Sequence, residues 1–326
     1  MKCQIGIHSL PPELLSDVFS YLSSDTPLRL QHALFVCYFW YNTIIHNPNL
    51  WSTIRIDREF FARFFPSHSS HSARAEAFTR SCLERSASVP LHIILDELID
   101  PNDKHEAMER IALVSQILEV GNIAHIRRCV SLSWTMVKAD LETSSLGKVF
   151  PKELEMLEAL HISGFDVHQN DLVSHFPKCP SLKEVHLVNH IESNDRPYFP
   201  DEDFARVEKL TFDNESAWIG HDISCISRFR SIHTLVLRDL SAATGRRTNW
   251  YLSSNVLPMA RLPSLQKLRL VGSIILGLLC RFDVPSLQEV QVEDDWLGNH
   301  SLWEIPSGVL RSVTSLFASP WIWELD

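Results

Sequence analysis

The feature that most constrains this chain is a recurrent spacing of apolar residues through its second half. Leu157, Leu160 and Ile162 occupy positions i, i+3 and i+5 of a short pattern. It returns at Leu182, Val185 and Leu187, at Val207, Leu210 and Phe212, and at Ile232, Leu235 and Leu237. These four copies start at 157, 182, 207 and 232, an interval of 25 residues each time. Two further copies, at Leu265, Leu268 and Leu270 and at Leu287, Val290 and Val292, follow at intervals of 33 and 22. Residues i+3 and i+5 lie on one side of a strand, because strand side chains alternate. A recurrence on this scale means stacked units, none of which can bury its apolar face alone.

Two further positions follow the same register. Position i+7 holds Gly164, Asn189, Asn214, Asp239, Gly272 and Asp294, residues that suit a tight bend after a short strand. Three copies share the lead-in Pro180-Ser181-Leu182, Pro263-Ser264-Leu265 and Pro285-Ser286-Leu287. A proline there is expected to stop a preceding helix and start the strand. The pattern resembles the leucine-rich repeat, L-x-x-L-x-L-x-x-N. That resemblance implies an α/β solenoid, with a curved parallel sheet inside and helices outside over 170–176, 201–206, 222–229 and 274–282. A further strand is expected near Cys129–Trp134. Val313, Leu316 and Ala318 read as a last degenerate copy, and Trp321-Ile322-Trp323 as its cap.

In such a solenoid, positions i+2 and i+4 point to the concave face. They are Ala159 and His161, Glu184 and His186, Lys209 and Thr211, Thr234 and Val236, Lys267 and Arg269, Glu289 and Gln291. This is a mixed polar surface, expected to hold a protein. His161, His186, Lys209, Lys267 and Arg269 are its candidate substrate contacts. The 33-residue interval carries an insertion, 241–255, with Arg246, Arg247, Trp250 and Tyr251. Arg, Trp and Tyr are enriched at binding hot spots, so this loop is a second candidate contact.

The first fifty-six residues follow a different rule. Leu10-Pro11-Pro12-Glu13-Leu14-Leu15 opens a helix, with proline in the first turn and an acid at its positive end. Leu14, Leu15, Val18, Phe19 and Leu22 form one apolar stripe. Thr26-Pro27 starts a second helical stretch carrying Leu28, Leu30, Leu34, Val36, Cys37, Trp40 and Ile44, which Asn47-Pro48-Asn49 ends. Leu50-Trp51 and the alternating Ile54-Arg55-Ile56 follow. The ordered set Leu10 to Trp51 resembles the F-box family, departing from it where Tyr38-Phe39 follows Val36-Cys37 in place of a basic residue. The resemblance implies a small helical domain, 1–56, that binds a Skp-type adaptor and through it a cullin–RING ubiquitin ligase. The adaptor contacts it implies are Leu10, Pro11, Leu14, Leu15, Val18, Phe19, Leu22, Val36, Cys37, Trp40, Leu50 and Trp51.

Residues 57–88 read as a helical connector. Phe60, Phe61, Phe64 and Phe65 share a helical face, a Ser-rich break spans 66–72, and a second helix runs from Ala73 to Arg85. Arg80–Ser86, followed by a strand over Val89–Leu95, resembles the F-box proteins of mushroom-forming fungi. The repeat-like region then runs from 89 to 326.

Composition narrows the function. The net charge of −10 excludes a nucleic-acid binder built on clustered Lys and Arg. Seven scattered cysteines with no C-x-x-C pair fit a reduced chain of the cytoplasm or nucleus. The apolar run Ile274–Leu279 is too short to cross a bilayer, so no membrane partner is expected. His68 and His71 lack the further ligands that zinc needs. No nucleophile elbow, phosphate loop, dinucleotide fingerprint or zinc-protease motif occurs, and no cofactor is expected. What the F-box and repeat resemblances imply is a non-catalytic substrate receptor of a ubiquitin ligase. The alternative is an interaction scaffold not coupled to one.

Overall fold

In a computed structural model of the chain, the repeated spacing becomes a set of parallel strands in lateral register. The structure describes residues 10–23, 26–65, 72–96, 114, 116–117, 123–137, 150, 152–165, 177–188, 205–214, 226–239, 259–272, 282–293 and 312–318. The chain divides into two compact units. Met1–Thr135 packs with Thr143–Leu157, and Met136–Glu142 with Glu158–Asp326.

The first unit opens with α1 (Pro12–Ser23), two 3-10 segments (Pro27–Gln31 and Ala33–Phe35), α2 (Tyr38–Ile45) and a 3-10 turn (Pro48–Trp51). Strand β1 (Thr53–Ile56), helices α3 (Arg58–Phe64) and α4 (Ser72–Arg85), strand β2 (Leu91–Leu95), the short α5 (Ile123–Ile126) and β3 (Cys129–Val137) follow. β1 pairs in parallel with β2, and β2 with β3. The alternating Ile54-Arg55-Ile56 thus lies in the first strand of a sheet. Helices α3 and α4 form the crossover that a parallel pair requires. Asp57 caps α3 by accepting from the Phe60 N–H at 2.9 Å. The phenylalanine face of α3 packs as expected: Phe60 and Phe61 are buried, and the Phe64 ring lies 5.5 Å from Phe78 of α4.

The helical stretch from Pro27 to Ile45 is broken rather than continuous. Phe35 N–H donates to His32 O and Val36 N–H to Ala33 O, both three-residue spacings of a 3-10 turn. Cys37 then takes an extended backbone (φ −163°, ψ 166°), and α2 begins after it. Bulky and β-branched residues at 35–38 are poor helix formers, so the chain corners there.

The second unit holds β4 (Ala159–Phe165), β5 (Glu184–Val188), β6 (Lys209–Asn214), β7 (Thr234–Asp239), the short β8 (Ala260–Arg261), β9 (Lys267–Val271), the short β10 (Phe282–Asp283), β11 (Glu289–Glu293) and β12 (Ser315–Ala318). Its parallel order is β4-β5-β6-β7-β9-β11-β12, and β8 pairs separately with β10. Position i+3 aligns across every pair: Leu160, Val185, Leu210, Leu235, Leu268, Val290 and Leu316. The 33-residue interval is thus absorbed without a register slip, which would have turned every side chain to the other face. Leu182, Val207, Ile232, Leu265 and Leu287, at position i, are all buried.

Each strand of this unit is also joined to the next by the same backbone fork. Glu158 O accepts from the N–H groups of both Lys183 and Glu184, at 2.8 and 2.9 Å. Lys183, Glu208, His233, Gln266 and Gln288 carbonyls each repeat that double acceptance toward the following strand.

The lead-in to the strands differs from the expected helix stop. Leu182 N–H donates to Cys179 O at 3.1 Å, Leu265 N–H to Leu262 O at 3.3 Å, and Leu287 N–H to Val284 O at 3.2 Å. Pro180, Pro263 and Pro285 thus occupy the second position of a four-residue turn, where the fixed φ of proline is already correct. The residue opening each turn, Cys179, Leu262 or Val284, is buried and adds an apolar position at i−3. Gly272 has φ 99°, so at that i+7 position only glycine is comfortable. Gly164, by contrast, stays within β4. Ala205 and Arg206, expected to close a helix, lie in a turn. Of the expected helix 222–229, Ile226 is helical and Ser227 and Arg228 lie in a turn, while Phe282, the expected end of another, opens β10. The expected helix 170–176, residues 222–225 and 274–281, and the cap at 321–323 lie outside the described residues.

Candidate functional site

Two surfaces carry the residues singled out by the sequence. The first is built on α1. Its buried line is Leu15, Phe19 and Ser23; its exposed line is Leu14, Val18, Tyr21 and Leu22. A helix with apolar residues on both sides is covered by its own chain on one side and awaits a partner on the other. Thr26 caps the next segment, its Oγ1 accepting from the Leu28 N–H at 3.3 Å with Pro27 following, as the spacing predicts. Phe19 meets Trp40 edge-to-face, with ring centroids 5.1 Å apart, which fixes α1 on α2. The Trp40 Nε1 is buried and has no hydrogen-bond partner among the described residues.

The twelve predicted adaptor contacts separate by burial. Leu15, Phe19, Leu50 and Trp51 are buried and hold the unit's own core. Trp51 is 2% exposed, donates from Nε1 to Ile44 O at 2.9 Å, and lies under the Arg85 guanidinium at 4.5 Å. Leu10, Cys37 and Trp40 are half-buried, whereas Pro11, Leu14, Val18, Leu22 and Val36 are exposed. The exposed set is the part a partner can reach. Sequence reasoning missed Tyr21, Phe35, Tyr38 and Tyr41, which are exposed as well. Their signal was present: aromatic residues that fit neither the buried line of α1 nor that of α2.

The second surface is the open side of the strands in the second unit. Lys209 Nζ lies 3.1 Å from Glu184 Oε2, and Lys267 Nζ 3.1 Å from Glu289 Oε2. Arg269 reaches Glu293 Oε2 at 2.7 Å. The predicted cationic contacts are therefore paired with carboxylates of neighbouring strands. His161 and His186 stack with ring centroids 4.2 Å apart. His186 Nε2 lies 2.9 Å from Asp213 Oδ2, which also accepts from Arg238 at 3.3 Å. Asp213 is buried, at 6% exposed: its Oδ2 is shared by His186 and Arg238 of the two flanking strands, while its Oδ1 has no hydrogen-bond partner among the described residues. Asp213, Arg238 and Glu293 sit at i+6, a position the i+2 and i+4 reading left out. Thr211 and Val236, expected on the open face, are buried. Arg246, Arg247, Trp250 and Tyr251 lie outside the described residues, as do His68 and His71.

A third cluster is structural. Arg128 donates to Val89 O at 2.6 Å and from Nη2 to Leu83 O, Ser86 Oγ and His125 Nδ1 at 3.3, 3.1 and 3.1 Å. It ties down the end of α4, where Ala87 carries a φ of 48° that a non-glycine residue adopts at a cost. Burial, then the nearby Arg128 charge, lowers the His125 pKa below its ordinary 6.5. The Cys82 and Cys129 thiols are buried, and burial pushes each up to about 12, which disfavours the thiolate. Among the described residues no group of His, Cys, Asp and Glu could hold a metal ion, and no helix is long and apolar enough to cross a membrane.

The described residues thus present two different surfaces: an exposed apolar one around α1 and α2, and an ion-paired one along the strands of the second unit. Residues 7–57 match the F-box-like family model, and that span contains the whole exposed set from Leu14 to Tyr41. No curated protein matches the chain.

Proposed function

We propose that this chain is a substrate receptor of a Skp–cullin–F-box ubiquitin ligase. The F-box-like segment docks on a Skp-type adaptor, and the repeats hold a target protein. The observation that carries this reading is the coincidence of the family match with a concentration of exposed apolar side chains. Of eleven large apolar residues left exposed among the described residues, eight fall between Leu14 and Tyr41. Such a patch is a liability in a lone chain and an asset in a subunit. The mechanism is proximity: the adaptor, cullin and RING subunits deliver ubiquitin, and this chain positions the target.

In the same reading the parallel strands form a leucine-rich-repeat-like solenoid. The invariant register across seven strands and the repeated carbonyl fork support it, because both are properties of a stack of equivalent units. The target would meet the open strand face, including His161, His186, Lys209, Lys267 and Arg269, together with the loop carrying Arg246, Arg247, Trp250 and Tyr251. Seven scattered cysteines with no C-x-x-C pair support a reducing compartment, the cytoplasm or nucleus.

Co-expression of the full chain with a Skp-type adaptor tests the reading. A stable complex that also draws in cullin and RING subunits is the expected result. A folded chain that never co-purifies with the adaptor would leave an interaction scaffold without a ligase.

A further inference from the structure

The exposed apolar residues near the start of the chain fall into two groups. Leu14, Val18, Leu22 and Val36 belong to the ordered pattern that marks the helical domain. Phe35 and Tyr38 do not, yet they are among the most exposed apolar residues of the described chain, at 88% and 81%. They are not on a slack loop. Phe35 N–H donates to His32 O at 3.2 Å, Val36 N–H to Ala33 O at 3.3 Å, and Tyr41 N–H to Cys37 O at 3.0 Å. The two rings therefore flank a hydrogen-bonded corner at Cys37, where the last 3-10 segment ends and α2 begins. The same short α2 carries Trp40, whose ring is fixed against Phe19 between the exposed residues Val18 and Leu22 of α1.

Large aromatic side chains presented on a fixed backbone lose little entropy on binding and bury much area. We propose that Phe35 and Tyr38 are anchor residues that extend the adaptor contact beyond the motif positions, each seated in an apolar depression of the Skp-type adaptor. This rests on the adaptor reading above. The adaptor is the occupant because both residues lie inside the 7–57 family match and adjoin Val36, itself one of the predicted contacts. Val36, which lies between them in sequence, is itself 52% exposed.

The test measures the affinity of the full chain for a purified Skp-type adaptor, with Phe35→Ser, Tyr38→Ser, the double variant and Leu14→Asp. Each single serine variant is expected to weaken binding about tenfold and the double about a hundredfold, in the range of interface anchors. Thermal unfolding of the uncomplexed variants should match the parent, since neither ring is buried. Phe35→Leu should retain most of the affinity. Serine variants that bind within twofold of the parent, while Leu14→Asp binds poorly, would overturn the anchor role and leave the adaptor reading standing. A parent chain that does not bind the adaptor would overturn both. Loss of a self-associated dimer in the double variant, with adaptor affinity unchanged, would also overturn the proposal.

Discussion

The two units dispose of their side chains in opposite ways. The beginning of the first unit leaves Leu14, Val18, Phe35 and Tyr38 in solvent and hides no charge among them. The strands of the second unit hide their apolar residues and settle their charges against one another, as Lys209 does with Glu184 and Arg238 with Asp213. Among the described residues of the second unit only Met259 and Phe317 are large, apolar and exposed. In the proposed reading the adaptor covers the first surface, and a target on the second would share or displace ion pairs already made. Affinity on the first surface should come from apolar burial, and selectivity on the second from polar geometry.

That contrast can be broken most directly where the first unit's own core meets its docking face. Trp51→Ala should cost about 3–5 kcal/mol, because it removes a buried indole, its bond to Ile44 O and the seat of Arg85. Chemical denaturation of the full chain measures it. A loss below about 1 kcal/mol would mean that Trp51 belongs to the interface rather than the core. Within the second unit, Asp213→Asn should cost about 1–3 kcal/mol, since the nearly buried carboxylate serves His186 and Arg238 together. The same denaturation experiment measures this loss, and a separate binding measurement should find adaptor affinity unchanged. A neutral result would show that the strand-face pairs contribute no net stability.

The smallest expected effect is a pH dependence at the end of α4. The pKa of His125 is lowered in the folded chain, so the unfolded chain binds a proton more readily. The stabilisation is fully present above pH 6.5 and is lost as pH falls below it. His125→Gln should flatten that part of the stability profile by a fraction of a kcal/mol. An unchanged slope between pH 5 and 7 would assign the acid sensitivity elsewhere.

The sequence was most legible where one periodicity ruled. Spacings of i, i+3 and i+5 located the strands β4, β5, β6, β7, β9 and β11, because burial on one face of a strand leaves an alternation that survives in the sequence. It was less legible where two demands overlapped. Leu14 and Leu15 are neighbours of the same chemistry, yet one is half exposed and the other buried. A single apolar stripe could not separate core from docking face. The turns at Pro180, Pro263 and Pro285 were read as helix stops, since proline signals both and only the bond from i to i−3 distinguishes them. Asp213 and Arg238 escaped notice because their pairing is lateral, between residues 25 apart, and leaves no local trace. The pairing of β1 with β2 left no local trace for a similar reason, since two helices intervene between them.

The measurement that bears most directly on the central claim is the dissociation constant of the full chain for a Skp-type adaptor, with and without Leu14→Asp. Leu14 is exposed and makes no part of the buried line of α1, so the variant should fold as the parent does. The account predicts tight binding by the parent and a loss of about a hundredfold or more on placing a charge in the apolar contact. Equal binding by a folded Leu14→Asp chain would contradict the assignment of this face, and with it the account of how the protein is held.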